Sequence, residues 1–192
     1  MKGFEIIEGK VPILISAPHI YNHYRSSLKM SYKQGEPYTG EIVKELARRL
    51  NCYAILSSEE LDYDPNSSLL ENNPYKREVG RIIKSKKIKM FIDIHGLSDK
   101  YSYDLAIYYG LRYRNAKKEA YRIANGLNTK ELREILIQMR NFKDNNNETL
   151  SEYVIKNFKK ISLQLEIARY IREDDILRNA FISSLSTVLL TK

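Results

Sequence analysis

Two histidines occupy the ends of two apolar runs. His19 follows Pro18 directly after Pro12-Ile13-Leu14-Ile15-Ser16-Ala17, and His95 closes Asp93-Ile94-His95 after Ile88-Lys89-Met90-Phe91-Ile92. The chain has only three histidines, so two of them stand at strand ends. In open α/β proteins such side chains converge on the ligand crevice. Neutral imidazoles placed there are the commonest ligands of a divalent metal.

Pro18 has no N–H to give a ladder, so the chain must leave the sheet at that point and present His19 to a crevice. Asp93 and His95, two apart on a strand, point to the same face. Asp93 can orient a ligand imidazole, as carboxylates commonly do for zinc-bound histidines. It can also bind metal itself, or form a metal-free Asp–His hydrogen bond. Glu36 stands in Gly35-Glu36-Pro37-Tyr38-Thr39 at the entry to a helix. There it reads either as a third ligand or as an acid favoured by the helix dipole. A catalytic zinc keeps about three protein ligands and one open position, which two histidines and a carboxylate supply.

Glu166 lies between apolar neighbours in Leu163-Gln164-Leu165-Glu166-Ile167. A carboxylate is costly to bury there without a purpose. It reads as the general base for a metal-activated water, or as half of an ion pair with Arg169. Arg169 in turn can clamp a substrate carboxylate. Arg25 is a second cation near His19, able to stabilise an oxyanion or to bind a carboxylate, or simply solvated. His23, four residues after His19, would share a face with it on a helix, although the segment between them carries no strong helix signal.

These residues require strands to carry them. Short runs at 4–8, 12–17, 53–56, 88–95, 104–109, 136–139 and 161–167 read as strands. Helices are expected from about Gly40, capped by Thr39, from Pro74 through Ile83, at 114–126, from Thr149 to about 159, and over 173–190. Residues 57–73, rich in Ser, Asn, Asp and Pro, read as a long loop, and 144–148 as a polar turn. Strands alternating with helices predict a three-layer α/β/α sandwich with a mostly parallel sheet. At 192 residues and 43% hydrophobic content, one domain over 1–192 is expected.

No apolar run reaches the roughly 20 residues of a membrane span, and the N-terminus lacks a signal-peptide pattern. With Cys52 the only cysteine, no internal disulfide can form. A cytoplasmic protein is the simplest reading. The net charge of +8 and the 15 tyrosines raise the possibility of nucleic-acid binding. However, the densest basic run, Lys84-Ser85-Lys86-Lys87-Ile88-Lys89, reads as a solvated helix end, and no nucleic-acid-binding motif is present. An anionic small substrate would gain from the same positive field.

Taken in order, Ile-Ser-Ala-Pro-His at 15–19, Glu36 ahead of Thr39, Asp-Ile-His-Gly at 93–96 and Gln-Leu-Glu-Ile-Ala-Arg at 164–169 resemble the N-formylglutamate amidohydrolase family. That family belongs to the zinc-carboxypeptidase-like hydrolases, which include phage poly-γ-glutamate hydrolases. The resemblance runs from about residue 12 to 170. It implies one zinc ion on His19, Glu36 and His95, with Asp93 behind them, Glu166 as the catalytic glutamate and Arg169 as the arginine that often follows it. It also implies the carboxypeptidase-type sandwich and a small acidic amide substrate, either an N-acyl amino acid or a γ-linked peptide. Asn22 stands where the carboxypeptidase pattern His-x-x-Glu has its acid. Two other classes stay open. A non-catalytic ligand-binding member of the fold would lack zinc. A basic nucleic-acid-binding protein would lose affinity steeply with salt.

Overall fold

The computed structural model describes residues 3–25, 32–110, 114–142 and 148–191. The polar turn expected at 144–148 therefore lies outside the described residues except for Glu148. Among those described, seven strands build one sheet: β1 (Phe4–Ile7), β2 (Val11–Ala17), β5 (Cys52–Ser57), β6 (Met90–Gly96), β7 (Leu105–Tyr109), β8 (Ile137–Asn141) and β9 (Ile161–Ile167). A small separate ribbon pairs β3 (His23–Tyr24) with β4 (Tyr32–Lys33). The sheet order is β1-β5-β2-β6-β9-β7-β8. The four strands from β5 to β9 run parallel, while β1 and β7 are antiparallel to their neighbours β5 and β9. Pro12 sits where the β2–β5 register slips, between Val11 and Leu14. A residue without an N–H is tolerated in a central strand only at such an irregularity.

Side-chain alternation sorts the sheet into two faces. Ile13, Ile15, Ala17, Ile92, Ile94, Leu163, Leu165 and Ile167 face α1 (Thr39–Leu50), α3 (Arg114–Leu127) and α6 (Asp175–Leu190) in the larger core. Leu14, Ile55 and Phe91 face α2 (Pro74–Ser85) and α4 (Leu150–Phe158) through Tyr75, Val79, Ile82, Leu150 and Val154. The result is the expected three-layer α/β/α sandwich with a mixed, mostly parallel sheet. Towards the strand ends the second face turns polar. Asp93 is paired with Ser16 and Gln164, and His95 with Glu166, in register across β2, β6 and β9.

Strands β2 and β6 are neighbours whose connections leave in opposite directions. β2 returns through α1 as β5 on one side, and the chain after β6 builds β7, β8 and β9 on the other. Such a reversal opens a crevice beyond the carboxyl ends of the two strands. His19 and His95 stand there.

Local details differ from the sequence reading. Thr39 lies inside α1, and the cap position belongs to Tyr38, which adopts the left-handed conformation at φ 66° with no side-chain cap. Thr39 instead donates its hydroxyl to the Glu36 carbonyl at 2.7 Å. The helix expected at 173–190 is α6, and a short α5 (Arg169–Glu173) that the sequence reading did not include precedes it. The Asp174 carboxylate accepts from the N–H groups of Ile176 and Leu177, and so starts a new helix. Thr149 caps α4 through a reciprocal pair with Glu152. No helix among the described residues is long and apolar enough to cross a membrane.

Candidate functional site

His19, Glu36 and His95 converge in the crevice, all buried, with one donor atom of each within 4.8 Å of the others. Three hydrogen bonds deliver Glu36. Its N–H donates to the His19 carbonyl at 2.7 Å, Gly35 N–H donates to the Asn22 side chain at 2.9 Å, and Thr39 holds its carbonyl. Asn22, which stands in place of the acid of the His-x-x-Glu pattern, thus fastens the loop that brings an acid from elsewhere. Glu36 Oε2 also accepts from Gly96 N–H at 2.8 Å. A side chain at position 96 would meet the Arg172 guanidinium and Glu36 Cγ within about 3 Å, so glycine is required for this approach.

The hydrogen bonds behind the two imidazoles set which nitrogen is free. His19 Nε2 donates to Asp64 Oδ1 at 2.9 Å and His95 Nε2 donates to Asp93 Oδ2 at 2.9 Å. Each ring therefore turns its Nδ1 towards Glu36, at 3.4 Å from Oε1 and Oε2 respectively. His19 Nδ1 is buried and has no hydrogen-bond partner among the described residues. Ligands held about 2.0–2.1 Å from a tetrahedral zinc ion lie about 3.3 Å apart, and these separations match. The donor set fits a divalent ion of zinc's preferences.

The electrostatics favour positive charge at this spot. Burial alone would raise the Glu36 pKa, but His19 and His95 pull it well below the ordinary carboxylate value. For His95, burial lowers the pKa, and Asp93 and Glu36 outweigh it, raising the value to about 10. A field that stabilises a proton on Nδ1 equally attracts a metal in its place.

Asp64 was not singled out from the sequence, because it lies in a 57–73 segment where acids and amides are ordinary loop residues. Its carboxylate accepts from His19, from the Arg25 guanidinium at 2.9 and 2.8 Å, from Ser67 Oγ at 2.7 Å and from Asn66 N–H at 2.9 Å. Burial opposes its ionisation, but His19, Arg25 and Ser67 hold its pKa far below the usual range. Asn73, the cap of α2, ties this loop down by donating to the carbonyls of Asp64 and Pro65. Asp64→Asn is expected to keep the fold and weaken metal affinity by about 10–100-fold, the usual effect of losing a carboxylate behind a ligand histidine. Competition with a chelating dye measures it. Unchanged affinity would remove Asp64 from the site.

His23 lies on β3, not on a helix with His19. Its ring stacks on that of His19 at 4.0 Å and 4°, whereas His19 and His95 meet edge to face at 4.9 Å and 72°. Imidazole lone pairs lie in the ring plane, so two parallel stacked rings cannot aim at one ion. The alternative group of His19, His23 and Asp64 is therefore support for the first. Burial is the main cause that pushes the His23 pKa down to about 4, leaving a neutral ring that shields His19 from water.

Glu166 shares the sheet face and register of His95, and its Oε1 accepts from the Gln164 amide at 2.9 Å. Burial raises its pKa, only partly offset by His95. The two arginines named from the sequence are engaged elsewhere. Arg25 holds Asp64, and Arg169, half exposed, pairs with Glu173 at 2.6 Å.

In three dimensions the fold is similar to that of several solved structures. A metallo-carboxypeptidase from Burkholderia cenocepacia superposes with a TM-score of 0.61 at 16% identity, over 99% of this chain and 64% of that one. The fold is that of the metallo-carboxypeptidases. A succinylglutamate desuccinylase from Chromobacterium violaceum gives a TM-score of 0.62 at 15% identity, over 98% and 67% of the two chains. A bacteriophage poly-γ-glutamate hydrolase gives 0.60 at 13%, over 97% and 86%. No protein-family model matches the sequence, and no curated protein is similar to it in sequence. The likeness is one of fold, and what the site does has to be argued from its own atoms.

Proposed function

We propose that this chain is a metal-dependent hydrolase of C–N amide bonds, with one zinc ion held by His19, Glu36 and His95. The observation that carries the reading is the pair of imidazoles whose Nε2 atoms are occupied by carboxylates, so that both Nδ1 atoms face one buried glutamate at 3.4 Å, where a metal can replace a proton. A zinc ion bound there would polarise an amide carbonyl and lower the pKa of a water towards about 7.

The chain's own residues supply the rest. Glu166, on the strand beside His95, takes a proton from the attacking water as its oxygen bonds to the carbonyl carbon. It returns that proton to the nitrogen as the C–N bond breaks, leaving a carboxylic acid and an amine. Its raised pKa suits a group that must both accept and release a proton. Asp64 and Asp93 keep the two rings oriented, and Gly96 N–H steadies the second oxygen of Glu36.

The substrate we infer is a small acidic amide, an N-acyl amino acid of the N-formylglutamate kind or a γ-glutamyl peptide. The motif order from Pro18-His19 to Arg169 supports it. So does the fact that two structures of similar fold are named for glutamate-containing substrates. The test joins elemental analysis of purified protein to a screen over N-acyl amino acids and γ-glutamyl peptides. We expect about one zinc per chain, with hydrolysis that a chelator abolishes and added zinc restores. Protein without bound zinc that hydrolyses none of these amides would refute the reading.

A further inference from the structure

Beside Glu36 and Gly96 lies an open cleft of about 250 Å³ whose walls include Lys33, Asp99, Arg169 and Arg172. Three cations face it against two acids, and their pairings differ. Lys33 Nζ is 3.2 Å from Glu36 Oε1, and Arg169 is bound to Glu173 outside the cleft. Arg172 has no ion-pair partner among the described residues, although it is only 3% exposed.

The geometry fixes that guanidinium in place. Nε donates to the Ile167 carbonyl at 3.0 Å and Nη1 to the Pro37 carbonyl. Nη2 lies against Gly96, where even a methyl group would come within 2.8 Å of it. Two carbonyl bonds spend two of its five N–H groups. Burying a cation without a counter-charge is costly, and burial lowers the Arg172 pKa with only partial relief from Glu36. A buried arginine, held rigid and lining a cleft one residue from His95, is pre-organised for an incoming carboxylate.

We infer that this cleft is the subsite for a carboxylate of the substrate, with Arg172 as its anchor and Lys33 as a second, movable cation. The inference rests on the amide-hydrolase reading and deepens it, because it states which end of an acidic amide lies next to Gly96. Lys33, with a side chain 36% exposed, can swing from Glu36 to the incoming anion. A dication on Glu36 would favour that move by like-charge repulsion.

Glutarate is the probe, titrated calorimetrically into the protein as purified, with glutaramide as its neutral counterpart. Glutarate should bind the native chain and glutaramide should not. Arg172→Met should weaken glutarate by roughly 10–100-fold, the loss of a charge-assisted bond. Arg172→Lys should restore part of the affinity, and zinc content should stay unchanged. If Arg172→Met fails to fold by circular dichroism, Lys33→Met on the partly exposed side chain still decides, with a loss of about three- to tenfold expected. Equal binding of glutaramide, or glutarate affinity unmoved in every folded variant, would overturn the subsite. The outcomes separate the two levels. Zinc and amide hydrolysis without Arg172-dependent glutarate binding sinks this inference alone. Arg172-dependent binding in a protein without zinc keeps the subsite and sinks the hydrolase.

Discussion

Glu166→Gln is expected to leave zinc stoichiometric and to lower turnover by about 10²–10⁴-fold, the usual contribution of a positioned general base. The substitution is close to isosteric. The Gln164 amide that donates to Glu166 Oε1 can still find an oxygen there, and the register with His95 is a backbone property. What goes is the ability to take a proton. The loss should therefore appear in kcat, with KM and metal content little changed. Elemental analysis and steady-state kinetics on one preparation check both halves. Full activity in the variant would transfer the base to another group, and lost zinc would make Glu166 part of the metal site.

His95→Ala should abolish stoichiometric metal, and all turnover with it. The imidazole is one of the three donors of the proposed zinc site, and it stands between two carboxylates, Glu36 and Asp93, at 3.4 and 2.9 Å. Removing it leaves two buried acids facing one another without the cation or N–H that separates them. We also expect a stability loss of about 3 kcal/mol or more, as when one member of a buried charged network is deleted. Equilibrium denaturation beside metal analysis reads both effects. A variant that keeps one zinc per chain would show that the ion is held elsewhere.

How much of this was legible in the sequence depends on where each residue gets its meaning. His19 and His95 could be found because a strand end is itself a sequence signal: an apolar run, then a proline or a glycine. The sheet and its helices followed from alternation and from periodicity, and Pro74 and Thr149 marked helix starts correctly. Glu36 stood open between a third ligand and a helix-entry acid until the resemblance favoured the first, since nothing local in Gly35-Glu36-Pro37 shows that Asn22 and Thr39 will carry it to His19. Asp64 could not be distinguished, because its partners lie 45 positions back at His19 and 39 back at Arg25. Arg172 was passed over in favour of Arg169. The sequence reading placed no helix at 169–172, whereas the short α5 turns Arg169 outward and Arg172 inward against the carbonyls of Ile167 and Pro37.

The fastening of Glu36 by Asn22, Thr39 and the His19 carbonyl has a thermodynamic result. Where ligands are close neighbours along the chain, an unfolded segment can still chelate. Here the three donors come from positions 19, 36 and 95, and a random coil has no means of gathering them. The denatured ensemble would then be a poor competitor for the proposed ion, and nearly the whole free energy of its capture would be added to the stability of the native state.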